Sequence, residues 1–287
     1  MSRNCRNNPK VRNFCLLILT LGNLLCGPRH ASQSESGEIR CVSLVPSVTE
    51  IIFALGAESL LKGNTVQCDY PVAARQIYKV GDFQLPDLER IVVLKPTIVF
   101  ATVPVHARLI EKLRELDIPV YISNPRTVED VFAEIESIGG LLGVKFKAVQ
   151  LAESLRRSLK AIPAFTDTPR VYIEIAAAPL MSVGNSTFIN DIVRIAGGRN
   201  IFDDVVQPYP VIAPEDVVRR NPEVIIILHP QALQADVRQR VGWGQVSAVQ
   251  QDRICDRLDE DIFFRPGPRV VEAIYLLLQL LHPDSTS

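Results

Sequence analysis

A helical segment in the middle of the chain constrains the fold more than any other feature. Residues 145–162 contain neither Pro nor Gly and are rich in strong helix formers. Their apolar side chains recur at intervals of three and four residues, at Val149, Leu151, Ala152, Leu155, Leu159 and Ile162. Gly139, Gly140 and Gly143 separate this segment from the helical pattern before it. Because Pro163 then ends the pattern, we expect one amphipathic helix of roughly 27 Å.

The chain repeats one pattern on the two sides of this helix. Glu89 opens a short helical stretch that a proline ends seven residues later, and an apolar run follows. Glu215 opens the same pattern at the same spacing, and Phe83 and Tyr209 each stand six residues before their glutamate. A repeat with a period of about 130 residues predicts two similar lobes rather than a solenoid.

Apolar strand-like runs alternate with helical stretches in both halves, which predicts an α/β fold with mostly parallel sheets. We expect two Rossmann-like lobes, at 39–143 and 164–287, joined by one long backbone helix at 144–163. Open parallel sheets bind ligands beyond the carboxyl ends of their strands. The predicted ligand site is therefore a cleft between the two lobes.

The N-terminus has the pattern of an export segment. Residues 1–32 begin with basic side chains and continue with an apolar run that is too short to span a bilayer. Cys26, at the end of this run, stands where the cysteine of a lipoprotein signal would be acylated. Such signals carry a small residue before the cysteine, whereas this chain has Leu25. The sequence therefore does not decide whether Cys26 is lipidated. A polar tether at 33–38 follows. We expect an exported protein in the periplasm or on the outer face of the cytoplasmic membrane.

The residue types needed for catalysis or metal binding are sparse. Only His106 and His229 fall well inside the predicted lobes, and no GxSxG, HExxH, P-loop or GxGxxG motif occurs. Cys41, Cys68 and Cys255 lack CxxC spacing, and the sequence does not select a disulfide pair among them. A net charge of −1 without a basic block argues against nucleic acid as a partner. We expect no enzyme, no metal site and no catalytic cofactor.

From about residue 40 onward, the chain resembles the helical-backbone (class III) solute-binding proteins of ABC transporters, which capture cobalamin, haem and iron–siderophore complexes. Six motifs carry the resemblance in the same order along both lobes. They are SLVPSVTE at 43–50, CDYP at 68–71, LERIVVLKP at 88–96, GNSTFINDI at 184–192, AGGRNIF at 196–202 and FRPGPR at 264–269. The CDYP loop is similar to that of the cobalamin-binding branch.

The resemblance implies roles for particular residues. Glu89 and Glu215 match the two acidic residues that such proteins offer to arginines of a membrane permease, which works with an ATPase. The ligand-facing positions would be Pro46, Ser47, Gln67, Asp69, Tyr70, Phe83, Thr102, Tyr209, Asp261, Phe263 and Arg265. The implied protein is a monomer that holds a corrinoid and delivers it to an ABC importer.

Two points remain open at this stage. Arg265 either pairs with an anionic group of the ligand or with a neighbouring carboxylate such as Asp261. The ligand itself is cobalamin or, alternatively, haem or an iron–siderophore, because Thr102 stands in a loop where a relative would carry Trp. For haem, a single axial ligand such as Tyr70, Tyr209 or His229 would be sufficient.

Overall fold

The computed structural model describes residues 38–229 and 234–283. The export segment predicted at 1–32, and the tether up to residue 37, lie outside this part of the chain. In the described ranges, no helix has both the length and the apolar character needed to cross a membrane.

A parallel four-stranded sheet with the strand order β2-β1-β3-β4 forms the N-terminal lobe. The elements of this lobe are β1 (Cys41–Ser43), α1 (Pro46–Ala54), β2 (Leu61–Asn64), α2 (Leu88–Val93), β3 (Ile98–Thr102), α3 (Ala107–Glu115), β4 (Val120–Ser123) and α4 (Val128–Leu141), with 3₁₀ turns at Glu58–Leu60 and Val72–Gln76. β1 is buried along its whole length, as expected for a strand of a parallel sheet with helices on both faces.

The C-terminal lobe has the same topology. Its four-stranded parallel sheet has the order β8-β5-β9-β10. Counted along the chain, these are the second, first, third and fourth strands of that sheet, which is the order found in the N-terminal lobe. The elements are β5 (Arg170–Glu174), β6 (Ala176–Ala177), β7 (Leu180–Met181), α6 (Phe188–Ile195), β8 (Arg199–Asn200), α7 (Pro214–Arg220), β9 (Val224–Ile227), α8 (Gln234–Gln239), α9 (Ser247–Gln250), β10 (Ile254–Cys255), α10 (Glu260–Phe264) and α11 (Val270–Leu281), with a 3₁₀ turn at Trp243–Gln245. The prediction of two similar α/β lobes with parallel sheets is confirmed.

The connecting helix, α5 (Lys145–Lys160), begins at the predicted residue and ends two residues before Ile162. The expectation that Gly139 and Gly140 interrupt the preceding helix is wrong, because both lie inside α4. A Cβ atom on Gly139 would stand 2.2 Å from the Cβ of Ala148 in α5, so that this glycine permits the close approach of the two helices. α4 ends at Leu141, and Gly143 follows two residues later with a φ of +74°, which suits glycine.

One apolar core runs through both lobes, and each lobe has a smaller buried cluster of its own. The shared core takes buried side chains from α1 and α4 of the first lobe and from α6 and α11 of the second, together with Ala148 and Ala152 of α5. Polar contacts cross the same region. The N–H of Val128 donates to Asp191 (2.8 Å), and the hydroxyl of Tyr275 donates to the carbonyl of Ser158 (3.0 Å). The lobes are therefore held together by packing as well as by the connecting helix.

The cysteines of the described residues, Cys41, Cys68 and Cys255, are free thiols. Burial raises the pKa of the Cys41 thiol to about 12, which fits a small apolar side chain in the core of β1.

Candidate functional site

A cleft of about 840 Å³ opens at the carboxyl ends of the strands in both lobes. The loops after β1, β3 and β4 form one wall, and residues after β5, the start of α6 and the 261–266 segment form the other. Nine of the eleven predicted ligand-facing residues line this cleft. They are Pro46, Ser47, Gln67, Phe83, Thr102, Tyr209, Asp261, Phe263 and Arg265.

The other two predicted residues, Asp69 and Tyr70, do not line the cleft and contact two arginines, Arg265 of the cleft wall and Arg269 beside it. Asp69 accepts a hydrogen bond from Arg265 (Oδ1 to Nη1, 2.8 Å). The guanidinium of Arg269 lies over the ring of Tyr70, 4.0 Å from its centroid. Their role towards a ligand stays a prediction.

Phe83 is held in the cleft by three contacts. Its backbone N–H donates to Oε1 of Gln67 (2.7 Å), and its carbonyl oxygen lies 2.6 Å from Nε2 of His106. The ring of Phe83 also meets the imidazole edge to face, with centroids 5.1 Å apart. Because the N–H of Thr102 donates to Nδ1 of His106 (3.1 Å), the imidazole is neutral with its proton on Nε2. His106 therefore ties the Phe83 loop to the end of β3, a role that the sequence did not indicate.

Burial lowers the pKa of His106, and the hydrogen bond to the carbonyl of Phe83 acts in the opposite direction. The side chain is only 1% exposed. The neutral tautomer is thus the one that the folded protein favours.

Tyr209 faces the cleft from the second lobe with nearly half of its surface exposed. Burial of the phenol raises the pKa of Tyr209, while the positive charge of Arg126, from the loop before α4 of the first lobe, acts to lower it. Arg126 also lines the cleft and was not predicted from the sequence. In the 261–266 segment, Phe263 is fully buried, and its neighbour Phe264 is the exposed aromatic ring.

A network of charged side chains joins the lobes beside the cleft. Glu50 of α1 is 3% exposed and binds Arg269 of the second lobe through two hydrogen bonds of 2.7 and 2.9 Å. Arg265 contacts Asp261 (2.7 Å), Asp69 (2.8 Å) and, at 3.5 Å, Glu50.

Arg265 thus pairs with neighbouring carboxylates, Asp261 among them, while a contact with the ligand stays a prediction. Arg269 also approaches Asp259, at 3.6 Å. With Arg75, which lies 3.9 Å from Asp69, the network contains three arginines and four carboxylates. Burial and the neighbouring carboxylates raise the pKa of Asp261, with Arg265 opposing them.

His229, a sequence candidate for a cleft contact, is directed into the second lobe. Its Nε2 lies 3.0 Å from Oε1 of Glu174, a fully buried carboxylate at the end of β5. Glu174 also accepts a hydrogen bond from Tyr172 (3.1 Å) and binds Arg240. His229 is not among the residues that line the cleft, and its imidazole is buried against Glu174.

Glu89 and Glu215 occupy equivalent places in the two lobes, in the first turns of α2 and α7. Both are exposed, and neither forms an ion pair with any residue that the structure describes. The basic side chains beside them are engaged elsewhere, since Arg90 pairs with Asp87 and Arg219 with Asp216. Glu89 and Glu215 thus lie at equivalent places in the two lobes, each at the dipole-positive end of its helix.

In residues 38–229 and 234–283, no group of three or more His, Cys, Asp or Glu side chains is placed to hold a metal ion.

The chain was compared with known proteins. The family model for periplasmic binding proteins matches residues 41–259. An uncharacterised ABC transporter substrate-binding lipoprotein, YvrC of Bacillus subtilis, is 31% identical over 257 residues, which cover 86% of this chain and 81% of the relative. A vitamin B12-binding protein of Vibrio parahaemolyticus is 30% identical over 239 residues, which cover 82% of this chain and 86% of the relative.

Among solved structures, the periplasmic haem-binding protein RhuT of Roseiflexus sp. RS-1 superposes with a TM-score of 0.76 at 24% identity, over 86% of this chain and 99% of that one. At this identity the likeness concerns the fold alone.

Proposed function

This chain belongs to the periplasmic binding protein family, and on that premise we propose that it captures a corrinoid of the cobalamin type in the cleft and delivers it to an ABC permease. It binds and hands over its ligand without chemical change and uses no catalytic cofactor.

The charge around Arg265 supports the choice of ligand. Arg265 already lies against three carboxylates, Asp69, Asp261 and Glu50, so that it is engaged within the protein. Haem carries two propionates, which need cationic partners, and the cleft-lining arginine outside this network is Arg126. A corrinoid presents neutral side-chain amides, whose N–H groups suit carboxylate acceptors such as Asp261. Its flat ring suits the aromatic faces of Phe83 and Tyr209.

Haem remains the second candidate because of one observation. Tyr209 lines the cleft close to Arg126. A tyrosine phenolate can serve as an axial ligand of haem iron, and the positive charge of Arg126 would stabilise that phenolate. Of the three axial ligands considered from the sequence, it is the one that lines the cleft.

A co-elution experiment tests the ligand. The tag-free protein is mixed with cyanocobalamin, and in a parallel tube with haemin, then desalted and examined by its visible absorption spectrum. We expect cyanocobalamin to co-elute near one to one. Tyr209→Phe keeps the aromatic face and removes the hydroxyl, and should therefore leave corrinoid binding within about twofold. Retention of haemin alone, abolished by Tyr209→Phe, would replace the corrinoid with haem. An iron–siderophore would be indicated if neither compound is retained.

Delivery to the permease is proposed to depend on Glu89 and Glu215. Two free carboxylates at equivalent places on the two lobes fit a permease whose halves present two basic sites. In membrane vesicles that contain the partner permease and ATPase, Glu89→Arg with Glu215→Arg should abolish uptake of labelled corrinoid while ligand affinity stays unchanged. Reversal of the exposed Glu115 and Glu153 gives the matched control. If the first pair lost affinity but kept uptake at saturating ligand, the docking surface would lie elsewhere.

We also propose that residues 1–32 direct export and that the mature protein acts as a monomer, beside the membrane if Cys26 is acylated. Mass spectrometry of the protein purified from its native membrane fraction tests the anchor. A diacylglycerol adduct on an N-terminal Cys26 supports it, and a mature chain that begins after Cys26 contradicts it.

A further inference from the structure

The N-terminus of α1 opens into the cleft without a cap from its own chain. Val45, Pro46 and Ser47 all line the cleft, and Val45 stands at the capping position with no side-chain oxygen to offer. Pro46 has no N–H, and the N–H of Thr49 is bonded to the carbonyl of Val45 at 3.0 Å. The N–H groups of Ser47 and Val48 are therefore the first-turn donors for which the helix itself supplies no acceptor.

The side chain of Ser47 is a second, independent sign of a missing partner. Ser47 is 1% exposed, and its hydroxyl oxygen has no hydrogen-bond partner among the residues that the structure describes. A buried hydroxyl without a partner destabilises a fold, and natural proteins keep few of them. Burial here comes in part from the second lobe, because a Cβ on Gly267 would stand 3.6 Å from the Cβ of Ser47.

The equivalent helix of the second lobe shows what a closed N-terminus looks like. α6 also begins at the cleft, but Thr187 accepts a hydrogen bond from the N–H of Asn190 (3.1 Å) and donates one to the carbonyl of Gly184 (2.9 Å). Since the two lobes share their topology, the difference is local: α6 is satisfied by its own chain and α1 is not.

We propose that the first turn of α1, with the Ser47 hydroxyl, is a subsite for an oxygen acceptor of the ligand. The inference rests on the proposed corrinoid function and adds a place where one end of the ligand is fixed. Two groups of a cobalamin have the required chemistry, the phosphodiester of its nucleotide loop and the carbonyls of its side-chain amides. The helix dipole favours the phosphodiester, which carries a single negative charge.

Replacing Ser47 by Ala separates this role from a structural one. Removal of an unpartnered buried hydroxyl should raise the Tm of the ligand-free protein by about 2–4 °C. Loss of the ligand hydrogen bond should weaken cyanocobalamin binding about three- to tenfold by calorimetry. Ser43→Ala is the matched control, because the Ser43 hydroxyl is buried but satisfied, donating to the carbonyl of Val45 (3.0 Å) and accepting from Thr49 (2.9 Å). It should lower the Tm and leave affinity within about twofold.

A second ligand identifies the acceptor group. Dicyanocobinamide lacks the nucleotide loop, so that a Ser47→Ala effect seen with cyanocobalamin and absent with dicyanocobinamide assigns the phosphodiester. An equal effect on both assigns an amide. The inference fails if Ser47→Ala leaves the affinity for cyanocobalamin unchanged, or if Tm and affinity fall together. If the unmodified protein binds neither corrinoid, the proposed function fails and this subsite with it.

Discussion

Replacing Gly139 by Ala should destabilise the protein although the substitution favours an isolated helix. The added Cβ would stand 2.2 Å from the Cβ of Ala148, whereas two carbon atoms in contact need about 3.5–4 Å. Neither atom can swing away, since each is fixed to a helix backbone, and α4 and α5 would have to separate by more than ~1 Å. Overpacking of this kind costs about 1–3 kcal/mol, partly offset by about 1 kcal/mol of helix propensity.

Gly140 provides the control one residue further along α4. Nothing lies within 4 Å of a Cβ at this position, so that Gly140→Ala should increase the free energy of unfolding by about 0.5–1 kcal/mol. Both variants are measured by urea unfolding followed by circular dichroism. Adding Ala148→Gly to Gly139→Ala removes the clash and should return the stability to that of Ala148→Gly alone. If Gly139→Ala is as stable as Gly140→Ala, the close approach of the two helices does not determine the choice of glycine.

Two further predictions concern the cleft. His106→Gln should weaken cyanocobalamin binding by loosening Phe83, and it should also change the pH dependence of stability. Burial lowers the pKa of His106 in the folded state. As the pH falls below about 6.5, the unfolded chain therefore binds a proton at this residue more readily than the folded protein does. The free energy of unfolding consequently decreases as the pH falls. Between pH 7.5 and pH 5, the free energy of unfolding of the wild type should therefore decrease more than that of His106→Gln, which lacks the titrating imidazole. A difference between the two proteins that does not change with pH would contradict this reasoning. Glu50→Gln should destabilise the protein by about 1.5–3 kcal/mol, because Arg269 loses two charged hydrogen bonds and keeps only the more distant Asp259 as a carboxylate partner. Arg269→Met on that background should recover part of the loss in thermal unfolding. If the effects of the two substitutions are additive, the pair is not coupled.

Much of the fold follows from short-range signals in the sequence. Helical periodicity located α5, and the Glu–Pro spacing revealed the repeat whose two copies have the same strand order. Long, strongly periodic elements are predictable because their signal is local. The two-residue strands β6, β7 and β8 escaped prediction, since pairing with neighbouring strands defines them and two residues carry no period.

The candidate site was predictable in outline for a similar reason. Chain order alone places the loops after parallel strands at one edge of a sheet, and nine of the eleven proposed ligand-facing residues lie there. Their individual roles could not be read in this way. Arg265 was ambiguous until its carboxylate neighbours were known, and His106 had no motif to mark it.

The sequence by itself thus determined the class of the fold, the repeat of one topology, the connecting helix and the edge of the sheets at which the cleft opens. The tertiary structure decided which charges meet and which groups are left without partners. Glu50 and Arg269 are 219 residues apart in the chain, and no local pattern links them. The need for glycine at position 139 likewise follows from its contact with Ala148, which only the packing of the two helices creates. The lack of a partner for the Ser47 hydroxyl is also visible only in the folded protein. Steric fit and hydrogen bonding depend on distances in space rather than on spacing along the chain.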